Sequence, residues 1–340
     1  MDYLSPKERL LRVLAKKQVD RPPVICPGGM MNAAVVEVMN KTGHTLPEAH
    51  RDSKLMRQLA YDIYQETGFE NFGVPFCMTV EAEVLGSIID YGTLACEPKI
   101  TKEFSPSVSQ VIFKDIKSML QDGRIETIIQ AGYYLAKQHS DVPLIGNLTG
   151  PISAGASIVD PMTFLKELRK DKENCHKVLD YVVELGIAYA RLMLDNGVDL
   201  ISIADPTATG EILGPKMFEE YAVKYLNKLI DGIHSFGAPA ILHICGDLKR
   251  VKHLIPQIRS DAISTDAMVN LLYLREEFPE LVTMGNVSTY LLEFSTPDKV
   301  ADRAGKLARD GVDIIAPACG LSTSTPLVNI QRMTGAVKES

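Results

Sequence analysis

A histidine and a cysteine stand two positions apart at the end of an apolar run, ILHICGDL (241–248). Because side chains alternate along a strand, His243 and Cys245 project to the same side. Another cysteine, Cys319, ends the apolar run VDIIAPACG (312–320). Two thiolates and one imidazole leave the fourth position of a tetrahedral zinc ion open, which is typical of catalytic zinc. The pattern predicts a metal site made of His243, Cys245 and Cys319.

The alternative interpretation is that these three residues pack in the core, since free cysteine is among the most buried residue types. Taken singly, each residue fits that interpretation better. The combination of H-x-C at one strand end with Cys-Gly at another favours the metal. Six cysteines occur in the chain. In a reducing compartment they are expected to be free thiols or metal ligands rather than disulfide partners.

Carboxylates and amides also stand at the ends of apolar runs. Asp205 is predicted to be a catalytic and substrate-binding residue that positions a ligand or handles a proton, and a helix-capping aspartate fits its sequence context equally well. Asn147 and Asn286 are predicted to bind substrate. Glu81, Glu83 or a water molecule is expected to be the fourth ligand of the metal.

These candidates end, or closely follow, a series of short apolar runs that alternate with longer amphipathic stretches. Alternation of this kind implies parallel strands with right-handed crossovers, and eight runs fit a closed (β/α)8 barrel. We therefore predict an α/β fold, a single TIM-barrel domain over residues 1–340, with an open doubly wound sheet as the alternative. The eight predicted strand segments are 22–29, 69–77, 142–150, 199–206, 239–246, 261–267, 281–289 and 312–320.

Two additions to the barrel are expected. Ser5 followed by Pro6 is typical of the start of a helix, so an N-terminal helix is predicted to precede the first strand. The segment 80–101 is too long for a simple turn between a strand and a helix and is expected to add a small hairpin over the barrel mouth. In such barrels the active site lies at the carboxyl ends of the strands.

Composition excludes several classes of protein. The 340 residues are 46% hydrophobic and 23% charged, which is ordinary for a globular protein with a large core. The formal charge of −7, without a dense basic block, argues against a nucleic-acid partner. No segment has the length of a membrane span, and the N-terminus does not resemble a signal peptide, so no membrane association and a cytoplasmic location are expected.

Several segments resemble the uroporphyrinogen decarboxylase superfamily, and within it the methylcobamide:coenzyme M methyltransferase branch. The resemblance covers essentially the whole chain and rests on SPKERLLRVLAKKQVDRPPV, FCMTVEAE, IADPTATGEILGPKMFEEY, LHICGD, MGNVST and APACGLSTSTPLVNI. It implies a TIM barrel with zinc held by His243, Cys245 and Cys319. It also implies transfer of a methyl group from a methyl-Co(III) corrinoid to a small-molecule thiol such as coenzyme M. The corrinoid is either free methylcobalamin or is carried by a corrinoid-binding protein.

Other activities of the superfamily stay open. The resemblance to the uroporphyrinogen decarboxylase itself implies arginines in an early loop, which hold the many carboxylates of the substrate. The corresponding loop here, CPGGMMNAA (26–34), contains no arginine, so the decarboxylase is the less favoured activity. The sulfonate of coenzyme M is expected to bind backbone N–H groups in GPISAG (150–155). Tetrahydrofolate is the alternative acceptor, and a barrel that only binds a corrinoid is the non-catalytic alternative.

Overall fold

The N-terminal helix forms as predicted. In the computed structural model, which describes residues 3–340, the side chain of Ser5 accepts a hydrogen bond from the Glu8 backbone N–H, and the Glu8 carboxylate accepts one from the Ser5 backbone N–H. This reciprocal pair satisfies two N–H groups at the start of the helix. The described α-helices are α1 Pro6–Leu14, α2 Val36–Thr42, α3 Ser53–Thr67, α4 Val80–Leu85, α5 Ile116–Met119, α6 Gly123–Gln138, α7 Pro151–Ile158, α8 Pro161–Lys170, α9 Lys172–Asp195, α10 Gly210–Met217, α11 Lys224–His234, α12 Leu271–Glu277, α13 Thr289–Phe294, α14 Pro297–Arg309 and α15 Leu327–Lys338.

Six of the strands form one parallel sheet. Their order in the sheet, β1-β4-β5-β6-β7-β8, follows the order of the chain. The remaining two strands, β2 and β3, form a separate antiparallel hairpin. The strands are β1 Phe72–Val74, β2 Ile88–Asp90, β3 Lys99–Lys102, β4 Leu144–Thr149, β5 Leu200–Ala204, β6 Ala240–Ile244, β7 Ala262–Thr265 and β8 Thr283–Met284.

Two further segments close the sheet into a barrel. Parallel bridges join Met284 to Ile314 and Ile315 to Val24, so the first and the eighth predicted strands lie side by side. On the other side, the first segment meets the sheet partly through a side chain: Asn71 accepts a hydrogen bond from the Cys26 N–H and donates one to the Cys26 carbonyl oxygen, both at 2.9 Å. The predicted barrel is confirmed, and the open sheet is wrong.

The predicted hairpin lies at the rim of the barrel. Its loop accepts a hydrogen bond at the Ala95 carbonyl oxygen from Thr323, which follows the eighth segment. The Glu97 carboxylate of the same loop accepts one from Asn32, which follows the first. Within residues 3–340, none of the helices has the length and apolar composition needed to span a membrane.

Helix α1 closes the floor of the barrel, the end at which the strands begin. Its apolar residues belong to one buried cluster with side chains from the barrel strands. The cluster members from α1 are Leu10, Val13 and Leu14, and those from the strands include Ile25, Ile145, Leu200, Ile241 and Ile314. Because the floor is filled, the opposite end, where the strands finish, is the open mouth available for chemistry.

Candidate metal site at the barrel mouth

The three predicted ligands meet at the mouth. His243 lies in β6, Cys245 follows directly after it, and Cys319 follows the eighth segment across the barrel. The His243 Nε2 atom stands 3.2 Å from the Cys245 Sγ atom, which stands 3.5 Å from the Cys319 Sγ atom. All three ligand atoms lie within 4.8 Å of one another. The imidazole is fully buried, whereas both cysteines are partly exposed toward the mouth.

These spacings fit a tetrahedral metal. With Zn–S bonds of about 2.3 Å and Zn–N bonds of about 2.0–2.1 Å, two ligating sulfurs stand about 3.8 Å apart and a sulfur and a nitrogen about 3.6 Å apart. The observed Sγ–Sγ and Nε2–Sγ separations are a few tenths of an ångström shorter. These two separations therefore need to widen by only a few tenths of an ångström to match those between zinc ligands. Two sulfurs and one imidazole nitrogen also form a donor set that zinc prefers.

The two thiols are coupled through the contact between their sulfurs. The pKa of Cys319 is lowered, chiefly because the Cys245 thiol donates a hydrogen bond to its sulfur and His243 donates another. The pKa of Cys245 is raised, because that same hydrogen bond holds its proton and because the thiol is largely desolvated. The pair thus titrates as a unit, and the shift at Cys319 is in the direction that favours a thiolate ligand.

A serine that the sequence did not single out stands behind the histidine. Ser264 of β7 is the register partner of His243, and its Oγ atom lies 2.9 Å from the His243 Nδ1 atom. With Nδ1 paired to the serine, Nε2 is the ring nitrogen that faces the two thiols. Only the register between the two strands identifies Ser264, so no signal within its own segment could have found it.

Asp205 is buried beside the N-terminus of α7. Its carboxylate accepts hydrogen bonds from the backbone N–H groups of Ile152 and Ser153 and from the Ser153 hydroxyl. Burial raises the pKa of Asp205 to about 6, although these hydrogen bonds act in the opposite direction. The expectation that N–H groups of residues 150–155 bind a sulfonate is wrong for Ile152 and Ser153, because Asp205 already occupies them.

The two asparagines predicted to bind substrate tie backbone segments together. The side-chain N–H groups of Asn147 donate to the carbonyl oxygens of Pro27 and Val74, on the two preceding barrel segments. Asn286 donates to the Asp266 carbonyl oxygen at 2.8 Å, and its own buried Oδ1 atom has no hydrogen-bond partner among the described residues. Substrate contact by either residue stays a prediction, and the free Oδ1 atom of Asn286 is the available acceptor.

The two glutamates expected as alternative fourth ligands are engaged elsewhere. Glu81 of α4 accepts hydrogen bonds from the backbone N–H and hydroxyl of Thr149, and Glu83 pairs with Arg124 at 2.7 Å. Among the described residues, no carboxylate joins the group of ligand atoms that lie within 4.8 Å of one another. The expectation is therefore wrong for both glutamates in this arrangement, and water remains as the third alternative.

Arg124, a buried cation near the mouth, also escaped the sequence analysis because it comes from a helix. It stands in the first turn of α6, and its guanidinium donates to the Cys77 sulfur at 2.7 Å and to the Thr79 hydroxyl at 3.2 Å. Its side chain is only 3% exposed. The guanidinium thus ties the segment between β1 and α4 to the start of α6.

Fold and site together define the class: a TIM barrel with a candidate Cys2His metal centre at the carboxyl ends of its strands. The family model described as uroporphyrinogen decarboxylase (URO-D) matches residues 5–340. The chain belongs to this family. The resemblance found in the sequence is thereby confirmed at the family level.

Relatives from the methyltransferase branch match over the whole chain. Methylcobamide:CoM methyltransferase MtbA of Methanosarcina acetivorans is 32% identical, with 99% of each chain covered. The solved structure of a methyltransferase from Methanosarcina mazei superposes with a TM-score of 0.92 at 28% identity, again over 99% of both chains. Uroporphyrinogen decarboxylase of a Synechococcus strain is 24% identical over 94% of this chain. The chain is thus more similar in sequence to that methyltransferase than to that decarboxylase.

Proposed function

We propose that this protein is a zinc-dependent methyltransferase that moves a methyl group from a methyl-Co(III) corrinoid to a thiol. The observation that carries the proposal is the convergence of one imidazole nitrogen and two cysteine sulfurs at the mouth, with no carboxylate among the described residues completing the group. Three protein ligands and an open fourth position are typical of catalytic zinc. The methylcobamide:CoM relatives support the corrinoid as the methyl donor.

In this proposal His243, Cys245 and Cys319 would hold the metal, and a zinc ion there would supply the Lewis acidity that favours the thiolate form of the acceptor thiol. The barrel then orients the two substrates. The acceptor thiolate forms a bond to the methyl carbon while the carbon–cobalt bond breaks, both electrons of that bond stay on cobalt to give Co(I), and the thiol proton leaves to solvent.

Ionisation of the acceptor accounts for only part of the rate. A thiol with a pKa near 8.5 is a few per cent ionised at pH 7, so complete ionisation gains at most about thirtyfold, roughly 2 kcal/mol. The rest must come from holding the sulfur in line with the methyl carbon. We infer that Asp205 contributes to this positioning through α7, since its carboxylate fixes the first turn of that helix at the mouth.

The partners follow from the same proposal. A corrinoid is too large to enter the filled barrel, so it must lie over the mouth, either free or presented by a corrinoid-binding protein. The acceptor is a small thiol such as coenzyme M. Tetrahydrofolate is the second acceptor to test, because two of the backbone N–H groups expected to bind a sulfonate are occupied by Asp205.

The test combines metal analysis with a spectroscopic assay. We expect about one zinc per chain, and we expect methylcobalamin to lose its methyl group when 2-mercaptoethanesulfonate or another thiol is added. Mercaptoethanol and tetrahydrofolate serve as the comparison acceptors, and uroporphyrinogen without metal tests for the decarboxylase. If zinc-loaded protein binds methylcobalamin but none of the tested acceptors leads to loss of the methyl group, the barrel is only a corrinoid binder.

A further inference from the structure

The strand that carries His243 has a polar partner on the neighbouring strand. Ser264 stands opposite His243 in the register between β6 and β7, so both side chains point to the same side of the sheet. Both residues are fully buried, which excludes solvent as the partner of either side chain. The Ser264 Oγ atom lies 2.9 Å from His243 Nδ1, at hydrogen-bonding distance.

The roles of donor and acceptor in this contact follow from the other ring nitrogen. Nε2 faces the Cys245 sulfur at 3.2 Å, so it is the nitrogen directed toward the candidate metal position. A metal-binding imidazole nitrogen must carry a lone pair, and the single proton of the neutral ring then sits on Nδ1. In a metal-loaded site, Ser264 must therefore accept the Nδ1–H hydrogen bond.

The hydroxyl proton of Ser264 also has a place to go. Its neighbour is the Met31 sulfur at 3.9 Å, a weak acceptor that cannot donate in return. The hydroxyl can therefore point its proton at the thioether and present a lone pair to the histidine. Because no stronger acceptor among the described residues competes for that proton, this arrangement satisfies the three groups at once.

We propose that Ser264, with Met31 behind it, is a positioning residue that fixes the tautomer and orientation of His243 for metal binding through Nε2. The proposal rests on the zinc site of the proposed function and adds the residue that makes its histidine a competent ligand. Loss of a partner of this kind typically weakens metal affinity by 10–100-fold. Ser264 does not contact the acceptor or the corrinoid in this proposal, so its effect reaches the reaction only through the metal.

The chain provides a matched control next to Ser264. Thr265 occupies the following position of β7 and is also fully buried, but it faces the opposite side of the sheet. Its hydroxyl has no hydrogen-bond partner among the described residues. Thr265→Val therefore removes a buried hydroxyl from the same strand while preserving side-chain shape and leaving His243 untouched.

The experiment measures zinc affinity in the full chain by competition with a chromogenic chelator. Wild type, Ser264→Ala and Thr265→Val are compared, with circular dichroism of the zinc-free proteins as the check on folding. We expect Ser264→Ala to bind zinc about 10–100-fold more weakly, and Thr265→Val to stay within about twofold of wild type. The Co(II)-substituted Ser264→Ala protein should also show shifted d–d bands, because the imidazole is no longer held in one orientation.

Equal zinc affinity in wild type and Ser264→Ala would overturn the inference and leave the proposed function intact, whereas absence of zinc binding in wild type would overturn both. If Ser264→Ala does not fold, the inference is tested instead on the wild type, through the protonation of the His243 ring nitrogens. In ¹⁵N-histidine-labelled, zinc-loaded protein, the resonance of the zinc-bound ring must show a protonated Nδ1. A ring protonated at Nε2 and bound through Nδ1 would contradict the proposal.

Discussion

The buried charges at the floor of the barrel are fully paired, whereas some polar groups at its mouth are not. At the floor, Arg9 is fully buried, and its guanidinium donates to the Asp20 carboxylate, the Glu70 carboxylate and the Leu4 carbonyl oxygen. Glu70 in turn accepts hydrogen bonds from Arg21 and from a backbone N–H. Each of these charges is paired in more than one direction, as a buried charge requires.

At the mouth, binding capacity is left open. The triad of His243, Cys245 and Cys319 has three ligand atoms for a metal that takes four, and the buried Oδ1 atom of Asn286 has no partner among the described residues. Charges at the floor are therefore expected to hold the fold together, whereas the three metal-ligand candidates and the unpaired Asn286 Oδ1 atom at the mouth are expected to serve ligands. Substitutions at the floor and substitutions of these groups should then affect different measurements.

The largest effect is expected at the mouth and should leave the fold unchanged. A structural zinc site contributes about 10–16 kcal/mol over four ligands, or roughly 2.5–4 kcal/mol for each. The double variant Cys245→Ser with Cys319→Ser should therefore lose roughly 5–8 kcal/mol of zinc affinity and retain no metal after dialysis. Elemental analysis and the urea unfolding midpoint of the zinc-free protein measure the two consequences separately. A zinc-free variant much less stable than zinc-free wild type would assign the thiols to the core instead.

The next largest effect is expected at the floor, where metal affinity should stay the same. Glu70→Ala leaves Arg9 buried without one of its partners, and breaking a buried pair in this way typically costs about 3–5 kcal/mol of folding stability. Glu280→Ala is the matched control, since Glu280 pairs with Lys16 while 91% exposed, and an exposed pair contributes about 0–1 kcal/mol. Similar losses of unfolding free energy in the two variants would remove the distinction drawn for the floor.

Local patterns in the sequence were sufficient to predict the three candidate metal ligands. They were not sufficient to predict the residues that contact and orient these ligands. Strand alternation places His243 and Cys245 on one side, and the count of eight segments brings Cys319 round to meet them. Ser264 could not be predicted, because its contact depends on the register between two strands. The capping of α7 by Asp205 depends in the same way on strands that are adjacent only in the folded barrel.

The fold shows a similar division between local and non-local information. The helices and the hairpin were predictable from periodicity and turn residues. The helical pattern after residue 160 is divided at Asp171, whose side chain accepts a hydrogen bond from the Asn174 N–H and starts α9. The backbone of the first predicted strand segment is hydrogen-bonded at Cys26 to the side chain of Asn71 instead of to a strand backbone. No pattern within that segment indicates this replacement.

A smaller effect is expected from Asp205, and it depends on pH. Its pKa, about 6 in the folded protein, lies above its ordinary value of 3.8, because burial disfavours the carboxylate. The folded state thus keeps a proton that the unfolded state releases, so stability falls as the pH rises from about 4 to 6. About two pKa units correspond to about 3 kcal/mol.

Asp205→Asn removes this titration. The unfolding free energies of wild type and variant are measured from pH 4 to pH 8. The stability of wild type relative to the variant should fall by about 3 kcal/mol as the pH rises across that range. The variant also loses one acceptor for the N–H groups of α7, which lowers its unfolding free energy by the same amount at every pH. Two parallel curves would show that Asp205 ionises in the folded protein as it does in the unfolded chain.

The smallest effect is expected where the barrel closes. Asn71→Ala removes both hydrogen bonds to the Cys26 backbone, and leaving a buried backbone group unpaired costs about 1–3 kcal/mol. Amide hydrogen exchange measures this locally: the Cys26 N–H should exchange about tenfold faster or more, since each 1.4 kcal/mol is a factor of ten. The Ile25 N–H, which donates to Ile315 on the other side, is the internal control. Equal acceleration at both amides would mean that the variant opens the whole segment, so that Asn71 contributes to global stability rather than to closure on one side.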